Sequence, residues 1–200
     1  MSQTFDLLFA GVGGQGSLLI AELTSIAASM EDYDVKQTEV HGISQRGGSV
    51  ETHVRFGKKI HSPVVTPGEA DAVIALEKLE ALRFAHFVDR EKGKILVNDY
   101  EIIPGSVVGA EEKYPYQAID HLRKKGLSVV AFPASQMAHE IGDGRMANVV
   151  MLGALSTLLP IPLVCWEEAL HHRLPPRFLE GNLKAFAAGR DLLEDGNTNS

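Results

Sequence analysis

The chain lacks most of the side-chain chemistry that redox and hydrolytic enzymes carry themselves. Cys165 is its one cysteine, so it forms no internal disulfide and cannot supply the three or four thiolates that an iron–sulfur cluster usually takes. No serine stands in a G-x-S-x-G elbow, and the eight histidines show no H-E-x-x-H spacing. These absences argue against a nucleophilic or zinc enzyme, and any redox centre has to belong to another protein.

Basic residues and long apolar runs are also scarce. The 19 Lys and Arg residues are outnumbered by 26 Asp and Glu residues, for a formal net charge of -7, whereas nucleic-acid binding needs clustered bases. No apolar run reaches the ~20 residues that cross a bilayer, and the first residues do not form a secretory signal. We therefore expect a cytoplasmic protein that binds small molecules or other proteins, not nucleic acid or a membrane.

The sequence does contain a regular alternation of apolar strands and amphipathic helices. The strand pattern predicts strands over 5–10, 35–40, 49–56, 71–76, 94–98 and 127–131. The helical pattern predicts helices over 15–30, 79–88, 117–125, 135–141, 146–158, 163–172 and 176–193. Together they predict a single α/β domain over residues 1–193, a doubly wound Rossmann-like sheet with a helical C-terminal cap over one face. Residues 194–200 are predicted to fray.

A glycine turn follows the first predicted strand. Gly11-Val12-Gly13-Gly14-Gln15-Gly16 fits the pattern G-x-G-x-x-G between a strand and a helix, the context in which backbone N–H groups and a helix N-terminus bind phosphate. Gln15 is expected to have no packing purpose, which favours a binding role. A close turn that binds nothing is the plain alternative, and an acid at Glu39, near the end of the second strand, leaves a dinucleotide site open.

A polar loop, defined here as residues 41–49, links the second and third predicted strands. Arg46 stands between Gln45 and two glycines, where an uncrowded guanidinium can pair with a carboxylate or phosphate. Ser44, Gln45 and Ser49 add neutral hydrogen-bonding groups. A solvated loop that merely turns the chain leaves His41 and Arg46 unexplained, so the pattern indicates a functional loop.

The glycine turn and the polar loop together resemble the gamma-type subunit of the 2-oxoacid:ferredoxin oxidoreductases. The segment Val40-His41-Gly42-Ile43-Ser44-Gln45-Arg46-Gly47-Gly48-Ser49-Val50 is most similar to the beta (small) subunit of the indolepyruvate branch. The pyruvate and 2-oxoglutarate branches share the glycine turn and an Arg-Gly pair. The resemblance covers nearly the whole chain, including Asn148 and the segments 152–154 and 181–186.

This resemblance implies a complex in which a 2-oxoacid is oxidatively decarboxylated, its acyl group passes to coenzyme A and its electrons reach ferredoxin. Thiamine diphosphate, magnesium and 4Fe–4S clusters are then expected on the large (alpha) subunit, with this chain binding none of them alone and inactive in isolation. Coenzyme A or the partner's active site would be contacted by Gly11, Gly13, Gly14, Gln15, Gly16, His41, Ser44, Gln45, Arg46, Gly47, Gly48, Ser49 and Asn148.

Other interpretations stay open. The chain alone could be a Rossmann-like oxidoreductase that binds NAD or FAD, a gamma subunit of the pyruvate or 2-oxoglutarate branch, or an assembly module without a ligand. Gly142-Asp143-Gly144 resembles the start of a thiamine diphosphate motif, in which the aspartate helps to hold the metal. Here, however, it follows a helical segment. It is therefore predicted to be a helix C-cap and a turn.

Overall fold

The computed structural model of the protein describes residues 4–41, 48–103, 114–194 and 196. The strands are β1 (Thr4–Val12), β2 (Asp34–His41), β3 (Ser49–Gly57), β4 (Ala72–Ala75), β5 (Lys94–Asn98) and β6 (Val129–Phe132). The helices are α1 (Ser17–Ser29), α2 (Lys78–Phe84), α3 (Ala118–Lys124), α4 (Ala134–Ile141), α5 (Ala147–Ser156), α6 (Leu163–Arg173) and α7 (Pro176–Glu194), with 3-10 turns at Ala85–Phe87 and Gly144–Met146. Each strand and helix predicted from the apolar pattern is present close to its predicted position.

The strands form one mixed sheet in the order β2-β3-β1-β4-β5-β6. β1, β4, β5 and β6 run parallel, whereas β3 lies antiparallel between β1 and β2. The link between β2 and β3 is too short to hold a crossover helix, so these strands can only pair as an antiparallel hairpin. The hairpin adds to the free side of β1, and the parallel part of the sheet grows on the other side.

Helices cover both faces of the sheet, so the predicted doubly wound sheet is confirmed. α1 and the helices after β6 pack on one face against side chains such as Leu7 and Phe9. α2 and α3 pack on the other face, where Leu8 and Ala10 are buried. Successive residues of β1 are therefore buried on opposite faces, which is why residues 7–10 of the strand are all apolar.

Close contact between α5 and α7 holds the C-terminal cap together. A β-carbon at Gly153 of α5 would lie 2.0 Å from the carbonyl oxygen of Phe186 on α7, so only glycine lets the two backbones approach this closely. The Phe186 ring lies 6.1 Å from the Trp166 ring of α6, between centroids. The predicted helical cap over one face of the sheet is thus confirmed.

Some predicted features lie outside the described residues. They include the central part of the polar loop, with Ser44, Gln45, Arg46 and Gly47, and most of the predicted tail. Glu194 of that tail still belongs to α7. In the described part of the chain, no helix combines the length and the apolar composition needed to cross a membrane.

Candidate functional site

A large cavity lies at the edge of the sheet where the parallel strands end, here called the carboxyl edge. α1 leaves β1 toward one face and α2 leaves β4 toward the other, which opens a crevice at the position where α/β sheets bind ligands. The cavity has a volume of about 850 Å³. Residues from four segments contribute to its walls, among them Gly14, Gln15, Gly16, Asn98, Asp99, Tyr100, Ser135, Gln136, His139, Arg145 and Asn148.

A chain of side-chain hydrogen bonds connects the ends of the parallel strands beside the cavity. Gln15 accepts from the Val12 N–H at 2.7 Å and donates to the Leu76 carbonyl at 3.0 Å. Asn98 donates to the same Leu76 carbonyl at 3.1 Å and to the Ser135 hydroxyl at 2.8 Å. The Ser135 N–H in turn donates to Asn98 Oδ1 at 3.1 Å. Neutral amides therefore join β1, β4, β5 and the start of α4.

This network corrects one expectation. Gln15 was expected to have no packing purpose, but both ends of its side-chain amide bond to protein backbone. The amide is needed because the β1 and β4 ends carry backbone groups that the parallel ladder leaves without strand partners. Its place in the cavity wall still permits a binding role.

Gly16 forms the N-cap of α1 with left-handed backbone, at φ 84°, and no side chain caps this helix. Asn148 of α5 donates to the Gly16 carbonyl at 3.3 Å, and a β-carbon at Gly16 would lie 2.2 Å from Asn148 Nδ2. The first N–H groups of a helix have no intrahelical acceptor and carry partial positive charge. The α1 N-terminus therefore gives the cavity a wall suited to an anion, and Asn148 holds it in place.

The return arm of the polar loop, Gly48 and Ser49, contacts the glycine turn. The Gly13 N–H donates to the Gly48 carbonyl at 2.9 Å, and Ser49 pairs with Val12 at the end of the β1–β3 ladder. The Ser49 hydroxyl donates to the carboxyl of Glu80 on α2. The two loops predicted from the sequence are thus neighbours in space.

Two buried acids lie at the start of α2. Glu77 is the N-cap and accepts from the N–H groups of Leu79 and Glu80, at 2.7 and 3.2 Å. It also accepts from the Ile102 N–H at 3.1 Å and from the Tyr114 hydroxyl. Burial and the neighbouring Glu77 carboxylate raise the pKa of the Tyr114 hydroxyl. Glu77 therefore holds the segment after β5, part of which lines the cavity, against α2.

Glu80 is 1% exposed. Desolvation raises the pKa of its carboxyl above the ordinary value and Glu77 adds to the increase, whereas the Ser49 hydrogen bond and the Arg83 charge oppose it. Arg83 Nη1 lies 3.0 Å from Glu80 Oε1. A buried acid with these partners costs more to retain than an apolar side chain.

The described residues of the predicted site lie at the carboxyl edge of the sheet. Gly14, Gln15, Gly16 and Asn148 line the cavity. Gly11 pairs with Val50 of β3, and Gly13, Gly48 and Ser49 lie at the adjoining strand ends. His41 pairs with Val50 from the other side, on the outermost strand β2. Ser44, Gln45, Arg46 and Gly47 are outside the described residues, so their role stays a prediction from the sequence.

Sequence reasoning did not find Asn98, Ser135, Glu77 or Glu80. Asn98 did carry a signal, since a polar residue closing an apolar strand lies at the edge where α/β sheets bind ligands. Ser135 carried a similar signal, three residues after the end of β6. The two glutamates carried none, because nothing local distinguishes a buried acid on a short helix from a solvated one.

Strand order weakens the dinucleotide interpretation. The acid that binds a ribose in a Rossmann site ends the strand next to the first, but here antiparallel β3 separates β2 from β1. Glu39 is exposed on the outermost strand, level with Thr52 and Phe9. Two strand spacings, roughly 10 Å, therefore separate Glu39 from β1.

Gly142-Asp143-Gly144 forms the predicted helix end and turn. Gly142 is the C-cap of α4 at φ 132°, and Asp143 caps the following 3-10 turn. Hydrogen bonds from Arg145 lower the pKa of the Asp143 carboxyl to about 2. Among the described residues, no three His, Cys, Asp or Glu side chains cluster as metal ligands would.

Comparison with known proteins matches almost the whole chain. The family described as pyruvate ferredoxin/flavodoxin oxidoreductase matches residues 6–192. Indolepyruvate oxidoreductase subunit IorB of Archaeoglobus fulgidus is 37% identical over 92% of this chain and 92% of that protein. The 2-oxoglutarate synthase subunit KorC of Methanothermobacter thermautotrophicus is 33% identical over 96% of both.

Solved structures share the fold. The gamma subunit of a keto/oxoacid ferredoxin oxidoreductase from Geobacter sulfurreducens has a TM-score of 0.70 and 26% identity, over 94% of this chain and 96% of that chain. The 2-oxoglutarate:ferredoxin oxidoreductase of Magnetococcus marinus, solved with 2-oxoglutarate, coenzyme A and succinyl-CoA, has a TM-score of 0.74. At 22% identity, over 98% of this chain and 32% of that one, it shows the fold alone.

Proposed function

The chain belongs to the pyruvate ferredoxin/flavodoxin oxidoreductase family, and we propose that it is the small, gamma-type subunit of a 2-oxoacid:ferredoxin oxidoreductase acting on indolepyruvate and other aryl pyruvates. The observation that carries this proposal is the match, over 92% of both chains, to subunit IorB of an indolepyruvate oxidoreductase. Further IorB relatives, from Thermococcus kodakarensis and Pyrococcus horikoshii, are each 35% identical over 92% of this chain. The pyruvate/ketoisovalerate gamma subunit of Pyrococcus furiosus, at 25% identity over 90% of this chain, is less similar.

The residues of this chain do not fit the redox cofactors of such an enzyme. A single cysteine, Cys165, cannot hold a 4Fe–4S cluster, and its thiol is buried on α6 with Glu31 as hydrogen-bond partner. We therefore assign thiamine diphosphate, magnesium and the clusters to the large alpha subunit, where they supply decarboxylation and electron transfer to ferredoxin.

The cavity at the carboxyl edge supports a binding role in that complex. Coenzyme A carries phosphates, and the cavity combines the α1 N-terminus with neutral donors such as Gln136 and Asn148. Its volume of about 850 Å³ is within the range of small-molecule sites. In this proposal the glycine turn binds phosphate and orients coenzyme A toward the partner's active site, which accelerates acyl transfer by positioning.

Purification tests the proposal most directly. The tagged chain is isolated under anaerobic conditions from its native host, and the co-eluting proteins are identified by mass spectrometry. We expect a large thiamine- and iron–sulfur-containing protein in equal proportion, with ferredoxin reduction that depends on indolepyruvate and coenzyme A. Recovery of the chain alone with a bound dinucleotide would contradict the subunit role and favour the Rossmann-like enzyme suggested by G-x-G-x-x-G.

Arg46→Ala tests the polar loop, on the basis of the sequence. Loss of a guanidinium that pairs with phosphate is expected to raise the KM for coenzyme A by about tenfold or more in the assembled complex. Arg90→Ala is the matched control, because Arg90 is exposed in the turn before β5, at the opposite edge of the sheet. Equal KM values for coenzyme A in the two variants would show that Arg46 does not contribute to coenzyme A binding.

A further inference from the structure

Glu80 is the buried ionisable group whose cost the fold alone does not explain. It is 1% exposed on a short helix, beside apolar residues such as Ala81 that are buried in the core. Desolvation raises the pKa of its carboxyl, which shows that burial disfavours the ionised form. An apolar residue of similar size would fill the same space without this cost, so the carboxyl is expected to serve a purpose other than packing.

The contacts of the carboxyl identify that purpose. Oε1 lies 3.0 Å from Arg83 Nη1, but the Arg83 side chain is 47% exposed and stays solvated without the acid. This contact is also local, because Arg83 lies three residues along the same helix. Oε2 accepts the hydroxyl of Ser49, which lies 31 residues away in the chain. The contact that joins separate parts of the fold is therefore the one to Ser49.

The hydrogen bond from Ser49 to Glu80 also restrains the glycine turn, because Ser49 and Gly48 contact that turn. It is the first residue of β3 and pairs with Val12, and the carbonyl of the preceding Gly48 accepts the Gly13 N–H at 2.9 Å. A continuous path thus runs from Glu80 through Ser49 and Gly48 to Gly13. Gly48 has no side chain of its own to hold it, so among the described residues only backbone bonds would hold the return arm without Glu80.

We propose that Glu80 is a positioning residue: its hydrogen bond to Ser49 holds the return arm of the polar loop against the glycine turn and so sets the affinity for coenzyme A. This inference rests on the proposed function and adds to it a residue that does not line the cavity. It also gives Ser49 an inward role, because its hydroxyl donates to Glu80.

The test compares variants in the assembled complex, at saturating 2-oxoacid. Glu80→Met removes the acceptor and keeps an apolar filling, and Ser49→Ala removes the donor. Each is expected to raise the KM for coenzyme A by about tenfold, the effect of losing one hydrogen bond to a charged group, with kcat within about twofold. Glu80→Gln keeps an uncharged acceptor and is expected to raise KM by only about threefold.

A double-mutant cycle and a control complete the test. If Ser49 and Glu80 act through one bond, the double variant Ser49→Ala, Glu80→Met has the KM of a single variant. Additive effects, or unchanged KM values beside normal coenzyme A dependence of the wild-type complex, overturn the positioning role. A wild-type complex without coenzyme A dependence refutes the proposed function itself.

The control variant is Asp6→Asn, which alters another buried acid–arginine pair at the far edge of the sheet. It is expected to leave the KM for coenzyme A unchanged. A rise equal to that of the Glu80 variants would also overturn the positioning role.

Discussion

The two edges of the sheet handle buried polar groups in different ways. At the amino edge, where the parallel strands begin, Asp6 accepts two hydrogen bonds from Arg55, at 2.8 and 3.0 Å, directly across the β1–β3 ladder. Asp71 accepts from the Asp6 N–H at 2.8 Å and pairs with Lys92 at 2.9 Å. Both of these acids have a basic partner.

At the carboxyl edge neutral amides and hydroxyls join the strand ends. Ion pairs lie beside them, between Lys78 and both Asp99 and Glu101 and between Arg83 and Glu80. Gln15 and Asn98 share one carbonyl, and Glu77 caps a helix. What differs is the bonding between strands: neutral amides join the parallel strand ends beside the cavity, whereas an acid–arginine pair joins β1 to β3 at the amino edge. Paired charges stabilise a closed edge, and neutral donors leave an open edge able to bind an anion.

Gly16→Ala is expected to destabilise the protein more than the other substitutions proposed below. Left-handed backbone at φ 84° costs an alanine about 1–2 kcal/mol, and its β-carbon would displace Asn148. We expect the free energy of unfolding, from urea denaturation, to fall by about 2–4 kcal/mol.

Gly68→Ala is the matched control at the amino edge, since Gly68 has the same φ of 84° with nothing within 4 Å. It is expected to cost only about 1–2 kcal/mol. An equal loss of stability in both variants would show that the contact with Asn148 does not add to the cost of the alanine at position 16.

Asp6→Asn should weaken the amino edge without affecting function. The pair is largely buried, with side chains 10% and 19% exposed, so we expect the free energy of unfolding to fall by about 1–3 kcal/mol. Added salt should reduce the difference from wild type, because it screens the charge pair. A changed kcat in the complex would contradict the separation of the two edges.

Gln15→Leu should lower the free energy of unfolding by about 1–2 kcal/mol, because the Val12 N–H loses its acceptor. The bonds are neutral, so this loss should not change with salt, in contrast to Asp6→Asn. Gln136→Leu serves as control: in the described part of the chain its amide bonds to exposed Glu140, four residues on, and a loss of about 0.5 kcal/mol or less is expected. A salt-dependent effect of Gln15→Leu would contradict the neutral character of the amide network that joins Gln15, Leu76 and Asn98.

The smallest expected effect is a pH dependence that sharpens the role of Glu80. Its folded-state pKa is raised, so as pH increases past the ordinary value of 4.5 the unfolded state loses its proton first and wild-type stability falls. The stability of Glu80→Gln relative to wild type should therefore increase with pH above 4.5 and level off above the folded-state pKa. Glu77 and Arg83 flank the carboxyl, so Arg83→Gln should widen the difference. A difference independent of pH would contradict the raised pKa.

Local pattern was sufficient for the elements and for the two loops. The six strands, α1 and the helices of the cap follow from periods of two and 3.6 residues, and the glycine turn is recognisable from G-x-G-x-x-G. The insertion of β3 between β1 and β2 was not predictable in this way, because strand order depends on pairing between distant segments. It is this order that moves Glu39 away from β1.

The sequence by itself determined the secondary-structure elements, the family and the absence of thiols for a cluster, because each of these depends only on local pattern or composition. Tertiary structure alone decided that Gln15 joins β1 to β4, that Asn98 and Ser135 complete the cavity wall, and that buried Glu80 holds Ser49. These contacts join residues 31 to 61 positions apart. Such contacts form only once the folded sheet brings its strand ends together, and no local pattern encodes that proximity.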